Sequence, residues 1–385
     1  MSTNRSFELG PIRPPSEARS LLIRVTRNCP WNQCTFCHTY RGEKFEMRSV
    51  EEVKQDIRAM REIADEIIAL SWKLGEGGKI GNATVDCIFN NELFYDECFR
   101  IVAAWLYFGG ESVFLQDSNS LVMKTDDLAE VIRFIREKFP DVRRITSYCR
   151  SLTAAKKTVE ELKLLREAGL TRIHVGMESG YDPLLKFIRK GATAEQHIEG
   201  GRRIVAAGIS LSEYVMPGLG GVRWTKEHAV ESARVLNQIN PAFIRLRSLQ
   251  VRKGTPLYDS MKNGLFEPLD EDGVVREIRT FLEHLEGIES RVVSDHILNL
   301  LEEVEGKLPE DRGKMVAVID RYLGMPELDR LVFRLGRRKG LYRRLDDLNA
   351  DPLLYHRLRE IVTRYLEEGP ATMERDLDGV KQHFI

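Results

Sequence analysis

Long apolar runs are missing from this chain. No segment approaches about eighteen uninterrupted apolar residues, which excludes a membrane-spanning helix as the organising element. Met1–Pro15 contains Arg5 and Arg13 but no apolar h-region, so no secretory leader is read there and a cytoplasmic location is expected. An excess of one charge is also missing. A formal net charge of −1 gives no global attraction to nucleic acid or to an anionic membrane, so no membrane partner is expected and nucleic acid is an unfavoured one. Cysteine is scarce, with six in 385 residues and none after Cys149. Cys87, Cys98 and Cys149 stand apart in mixed or apolar surroundings, as buried thiols do, and not in the pattern of disulfides or a second metal cluster. The 42% hydrophobic content suffices for a sizeable core, as one large domain with an appendage or as two domains.

The other three cysteines fall together, in Asn28-Cys29-Pro30-Trp31-Asn32-Gln33-Cys34-Thr35-Phe36-Cys37. Three thiolates on one tight loop can hold three irons of a [4Fe–4S] cluster and leave the fourth iron open to another ligand. The competing readings are chance clustering and a zinc knuckle. A closed zinc site wants four ligands, and His38 is the one nearby residue able to complete it.

The loop resembles the cluster loop of the radical S-adenosylmethionine (radical SAM) superfamily, whose cysteines are spaced by three and then two residues with an aromatic before the last. Phe36 fills the aromatic place. The first gap here holds four residues, Pro30 to Gln33, so one must be looped out if Cys29, Cys34 and Cys37 are to converge. The resemblance implies that S-adenosylmethionine (SAM) chelates the open iron. One-electron reduction, by a partner such as flavodoxin or ferredoxin, would then split a C–S bond to give a 5′-deoxyadenosyl radical.

Along the chain, Met1–Arg19 reads as a polar, proline-rich tail. Ser20–Val25 is a buried strand delivering the cysteine loop at its C-terminal end. Val50 to about Leu74 carries Val53, Ile57, Met60, Ala64, Ile67 and Ile68 at helical spacing behind Ser49 as cap. An insertion at about 75–110 includes a helical, aromatic Glu92–Phe108. Strands are then expected at 112–116, 144–148, 172–176, 210–216 and 243–249, alternating with helices at 126–139, 159–168, 183–207 and 226–239. The fold class is α/β, a partial (β/α)6 TIM-like barrel over residues 20–255, matching the core that the resemblance implies. A helical C-terminal region, 256–385, follows with helices at 274–285, 312–323, 328–334 and 353–367.

Candidate site residues sit at strand ends. Gln116 and Asp117 open a polar segment where relatives hold the SAM amino group; an Asx-type turn is the equal alternative. Arg150 suits a carboxylate or phosphate, or an ordinary surface ion pair. His174-Val175-Gly176-Met177-Glu178-Ser179-Gly180 with Lys190-Gly191 resembles a segment of the branch containing oxygen-independent coproporphyrinogen oxidase, the elongator catalytic subunit and cobalamin-associated enzymes. That likeness implies Glu178 on the SAM ribose hydroxyls and Lys190 on its carboxylate, chemistry that suits both side chains. Read alone, Glu178 is a carboxylate at a helix N-terminus. Gly218, in Met216-Pro217-Gly218-Leu219-Gly220-Gly221, would let backbone approach the adenine. Arg245 and Arg247 share one strand face, inside or outside the barrel. Asp295, His296 and Asn299 read as capping or surface groups ahead of acid/base groups. Arg334-Leu335-Gly336-Arg337-Arg338-Lys339 with Tyr342 reads as a solvated helix face ahead of an RNA-binding patch.

The absence of cysteine from the C-terminal region argues against an extra-cluster domain. The short segment before Cys29 argues against a cobalamin-binding one. The expected function is a radical SAM enzyme acting on an unidentified substrate. Against it stand a non-catalytic iron–sulfur electron-transfer or cofactor-carrier protein and a cluster-free β/α binding protein.

Overall fold

The computed structural model describes residues 6–91 and 95–382. Ten strands occur among them: β1 Leu21–Arg24, β2 Thr26–Arg27, β3 Glu46–Met47, β4 Ser112–Gln116, β5 Arg144–Cys149, β6 Leu170–Glu178, β7 Ser210–Val215, β8 Phe243–Leu246, β9 Arg291–Val293 and β10 Gly306–Lys307. The helices are α1 Val50–Lys73, α2 Asn82–Phe89, α3 Glu97–Tyr107, α4 Thr125–Lys138, α5 Ser151–Lys156, α6 Val159–Ala168, α7 Asp182–Phe187, α8 Ala194–Ala206, α9 Gly221–Ile239, α10 Pro256–Lys262, α11 Glu271–Glu283, α12 Arg312–Leu323, α13 Glu327–Arg338, α14 Asp347–Ala350, α15 Pro352–Glu368 and α16 Pro370–Lys381. An eight-stranded sheet runs in the order β1-β4-β5-β6-β7-β8-β9-β10, while β2 and β3 form a separate antiparallel pair. Strand followed by helix, with strands in sequential order, is the α/β architecture expected from the alternating pattern. No helix of the described residues is long and apolar enough to cross a membrane.

The chain divides into two compact units. The first comprises residues 1–32, 39–175 and 199–211. Its strands β1, β4, β5 and β6 pair in parallel, with Leu21 opposite Val113 and Val113 opposite Ile145. Leu21, Leu22 and Ile23 are buried, as a parallel strand covered by helices requires. The covering stripe of α1 is Val53, Ile57, Met60, Ala64 and Ile67, none more than 1% exposed. At roughly 1.5–3 kcal/mol for each large side chain removed from water, this stripe is what holds α1 down. The start of α1 is set by a reciprocal capping box between Ser49 and Glu52.

The N-terminal segment is tied into this unit from residue 7 onward. Phe7 is buried, and the fully buried Glu17 accepts from Ser20 Oγ at 2.6 Å and Arg144 Nη2 at 3.1 Å, with His174 Nε2 at 3.3 Å. Burial alone would raise the pKa of Glu17, but the hydrogen bonds from His174 and Ser20 and the Arg144 charge outweigh it and hold the carboxyl below its ordinary value. Within the insertion the structure has α2, which the sequence pattern did not disclose, and α3, capped by Asp96. The expected start of that aromatic helix, Glu92–Phe94, lies outside the described residues. Cys98 and Cys149 are buried and Cys87 is partly so, and no disulfide involves any of the six cysteines.

The second unit comprises residues 33–38, 176–198 and 212–385. Strands β7, β8 and β9 pair in parallel, and β10 runs antiparallel to β9. At three and two residues, β9 and β10 are too short to carry a periodicity, so they were absent from the six-strand expectation. The basic stretch of α13 departs from its expected solvated state. Arg334, Arg337 and Arg338 are buried and paired with carboxylates: Arg338 with Glu271 at 2.8 Å, Arg337 with Glu302 at 2.7 Å, and Arg334 with Glu271 at 3.4 Å and with Glu374. Tyr342 is also buried, with its ring stacked parallel to Phe333. Of that stretch, Lys339, Arg343 and Arg344 remain exposed.

Candidate functional site

All three loop cysteines lie between β2 and β3. In the first unit, Asn28 and Asn32 adopt left-handed backbone, with φ of 64° and 47°, on either side of Cys29. Asparagine tolerates this region better than most residues because its short side chain can bond locally. Asn32 is pinned by its amide nitrogen, which donates to Tyr40 O and to Glu43 O at 3.1 Å, while its backbone N–H reaches Cys29 Sγ at 3.4 Å. A turn of this kind accommodates the four-residue first gap.

Asp117 supports the entry to the loop. Its Oδ2 accepts from Asn28 N–H at 3.1 Å and from Arg24 Nε at 2.8 Å, and Ser118 Oγ donates to Asn28 O at 3.0 Å. Burial raises the pKa of Asp117, while Arg24 and the Asn28 N–H counteract it. Gln116, also fully buried, serves the protein's own backbone: its Oε1 accepts from Gly10 N–H at 3.0 Å, and its Nε2 donates to Gly10 O at 3.2 Å and Ile12 O at 2.6 Å. Asn119 takes the Arg150 N–H at 3.2 Å, and the Arg150 guanidinium stacks over Trp31.

In the second unit the rest of the loop is held by backbone. Thr35 donates its N–H to Ile188 O at 2.9 Å and accepts Leu257 N–H at 3.0 Å, and Cys37 N–H reaches Cys34 O at 3.3 Å. Phe36 packs against the apolar cluster of Leu184, Leu185, Ile188, Met216, Leu219, Leu257 and Phe266. Lys190 lies 6.0 Å from the Phe36 ring centre and donates to Glu178 Oε1 at 2.9 Å, and each of these charged side chains is about a tenth exposed. Glu178 ends β6 in left-handed backbone, φ 66°, and its O accepts the Met216 N–H at 3.0 Å. The space its carboxylate occupies exists because residue 176 is glycine. A Cβ there would lie 2.3 Å from Glu178 Oε1 and 3.1 Å from Lys190 Nζ.

Glu213 on β7 was not singled out from the sequence. It is fully buried, and neither carboxylate oxygen has a hydrogen-bond partner among the described residues. Burial drives its pKa well above the ordinary 4.5, against the Lys190 charge and with the Glu178 charge. The available signal was an acidic residue inside the strand Ser210–Val215, whose neighbours are otherwise apolar or small.

Residues 88–233 match the family model described as Radical SAM superfamily. That stretch is similar to the radical SAM superfamily, which supports SAM-dependent radical chemistry in general terms. Among known proteins, the chain is 26% identical over 120 residues to the tRNA uridine(34) acetyltransferase of Methanocaldococcus infernus, covering 31% of this chain and 22% of that one. It is 27% identical over 195 residues to the 4'-phospho-dehydrooxetanocin synthase of Priestia megaterium, covering 50% of this chain and again 22% of that one. The chain thus spans about a fifth of the length of these curated relatives. A solved structure of the coproporphyrinogen III oxidase from Escherichia coli aligns with TM-score 0.44 and 13% identity, over 69% of this chain and 52% of that one.

The remaining candidates are engaged with their neighbours. Gly218 donates its N–H to the buried Glu277 at 2.7 Å, whose other oxygen accepts from Thr225 Oγ1 at 2.7 Å. Arg245 is buried and pairs with Asp295 at 2.9 Å. Asn299 is buried and bonded to Ser248, Leu246 and Ser294, tying loop to strand end and capping no helix. Phe36, Glu178 and Lys190 are brought together, with Glu213 added. Among the described residues, no group of three His, Cys, Asp or Glu side chains close enough to hold a metal ion is found. The donor chemistry nevertheless suits an iron–sulfur cluster, since three unbridged, partly accessible thiols lie on one loop and an N–H already points at Cys29 Sγ.

Proposed function

We propose that this protein is a radical SAM enzyme that reductively cleaves SAM and abstracts hydrogen from a substrate, with Cys29, Cys34 and Cys37 as the ligands of a [4Fe–4S] cluster. The observation that carries this reading is the Glu178–Lys190 pair beside Phe36. Residues that the family resemblance links to one cofactor, though remote in sequence, occupy one neighbourhood with the buried Glu213. When bound, the cluster supplies the electron that splits SAM to a 5′-deoxyadenosyl radical.

The chain's own residues have separable tasks in this reading. Lys190 presents an ammonium to the SAM carboxylate, and Glu178 presents a carboxylate able to accept from two ribose hydroxyls. Their mutual pairing keeps both charges compensated before SAM arrives. Gly176 leaves room for the Glu178 carboxylate, and Phe36 with its apolar cluster excludes water from that side. Glu213, whose burial favours the protonated form, can donate that proton in a hydrogen bond. Asp117 and Asn32 fix the backbone around Cys29.

The test is 5′-deoxyadenosine formation from SAM by anaerobically reconstituted, chemically reduced protein, with Cys34→Ala as the control. Product from the wild type and none from the variant is expected. No product together with no SAM binding would overturn the enzyme reading and move the assignment to an electron-transfer or carrier protein.

A further inference from the structure

Within the second unit, the cations at and beyond the end of β8 are treated unequally. Arg245 and Arg247 alternate onto one face. Arg245 is paired, through Nη1 with Asp295 at 2.9 Å and through Nε with Ser212 Oγ at 3.2 Å. The half-buried Arg247 makes no hydrogen bond or ion pair through its guanidinium with any described residue. On the turn that follows, Arg252 Nη1 donates to Gln382 O at 3.1 Å, while its Nε and Nη2 are buried and have no hydrogen-bond partner among the described residues.

The backbone around these two side chains is rigidly held. Asn299 laces the loop after β9 to the end of β8, accepting from Ser248 N at 2.9 Å and donating to Leu246 O at 2.8 Å. Arg338 holds Ile297 O at 3.1 Å and Leu298 O at 3.0 Å, and Thr255 Oγ1 donates to Arg252 O at 2.7 Å. His296 sits in that laced loop with its Nδ1 accepting Leu298 N–H at 3.2 Å.

The electrostatic surroundings are of one sign. After burial, the charges that act on Arg252 and His296 are all cationic: Arg247 on Arg252, and Arg247 with Arg338 on His296, whose ring is driven down to about 3 and is neutral. The carboxylates in the vicinity are taken, Asp295 by Arg245 and Glu271 by Arg338. Two part-buried guanidiniums repel one another and leave desolvated donors unsatisfied, both of which cost folding free energy. An anion from outside the chain removes both costs.

We propose that Arg247 and Arg252 form the binding site for a phosphate group of the substrate. Arg247 offers a whole planar fork, and Arg252 offers the Nε and Nη2 edge of a second. A carboxylate is satisfied by one such fork, whereas the three oxygens of a phosphate monoester use both. His296 Nε2, as the N–H tautomer, adds a neutral donor beside them. That the phosphate belongs to a substrate rests on the radical SAM reading; the site itself does not.

The test is titration calorimetry of the reconstituted full chain with inorganic phosphate and, separately, acetate. Tight phosphate binding is expected, weakened by about tenfold or more in Arg247→Gln and in Arg252→Gln, as loss of a charge-assisted bond requires, with the exposed Arg343→Gln unchanged. Without phosphate, Arg247→Gln should melt no lower than the wild type, because it loses no partner, and should lose the phosphate-induced rise in Tm. No phosphate binding, equal binding by both variants, or preference for acetate would overturn the proposal. SAM affinity is measured on the same samples. Independence from phosphate is expected, and competition would assign the arginines to SAM and overturn the substrate site. Phosphate binding with no SAM cleavage would condemn the radical reading alone.

Discussion

Glu271→Gln tests the charge system that anchors α13 and the loop carrying His296. Glu271 lies 2.8 Å from Arg338, 3.4 Å from Arg334 and 3.4 Å from Lys381. Burial would raise its pKa, but the charges of Arg338, Lys381 and Arg334 win and bring it to about 2, against an ordinary 4.5. At about 1.4 kcal/mol per pH unit, that difference is worth about 3 kcal/mol of stability at pH 7. Because the folded pKa is the lower one, the unfolded chain binds the proton more readily below pH 4.5. The stabilisation is therefore complete above 4.5 and is lost as pH falls towards 2. Replacing the carboxylate removes it at every pH and leaves Arg334, Arg338 and Lys381 short of a counter-charge, which brings the expected loss to roughly 3–5 kcal/mol. Urea denaturation at pH 7, 5, 4 and 3, followed by circular dichroism, should show a lower midpoint at unchanged slope for the variant and a weaker acid dependence. The exposed Glu310→Gln should stay within about 0.5 kcal/mol of the wild type. If Glu271→Gln fell within about 1 kcal/mol of the wild type, or kept its full acid dependence, the account of α13 as a buried ion-pair network would be wrong.

Three further outcomes follow from the site. Gly176→Ala should displace the Glu178 carboxylate and weaken SAM binding about tenfold, as for one lost charge-assisted bond, with little change in Tm; unchanged affinity by calorimetry would separate Glu178 from SAM. Burial raises the folded pKa of Glu213 above the ordinary 4.5, so the wild type should lose stability relative to Glu213→Gln as pH rises from 4.5; parallel pH profiles would contradict that upward shift. Asp117→Asn removes one of the two carboxylates paired with Arg24, Glu8 being the other, and weakens the hold on Asn28, at a cost of about 2–3 kcal/mol, and iron bound per chain should fall; full iron content would show that Asp117 does not shape the cysteine loop.

The six principal strands and the long helix Val50–Lys73 were legible in the sequence because each carries its own periodicity, cap or breaker. The cysteine loop was legible because its chemistry is local, three thiols and an aromatic within a few residues. Glu178 and Lys190 could be named through family likeness, yet nothing in their spacing says that they meet. That contact depends on the left-handed backbone at Glu178 and on the missing Cβ at Gly176. Long-range pairing accounts for the rest. The arginines of α13 look like a solvated face until Glu271, Glu302 and Glu374 arrive from elsewhere in the chain to neutralise them. Arg245 and Arg247 are indistinguishable as letters, and only folding gives Asp295 to one and leaves the guanidinium of the other without a partner among the described residues. Sequence determined the elements and the cluster chemistry, since those depend on neighbours along the chain. Tertiary structure decided which charges are spent on holding the fold and which stay available to a ligand, since Coulomb interactions and desolvation depend on distance and burial.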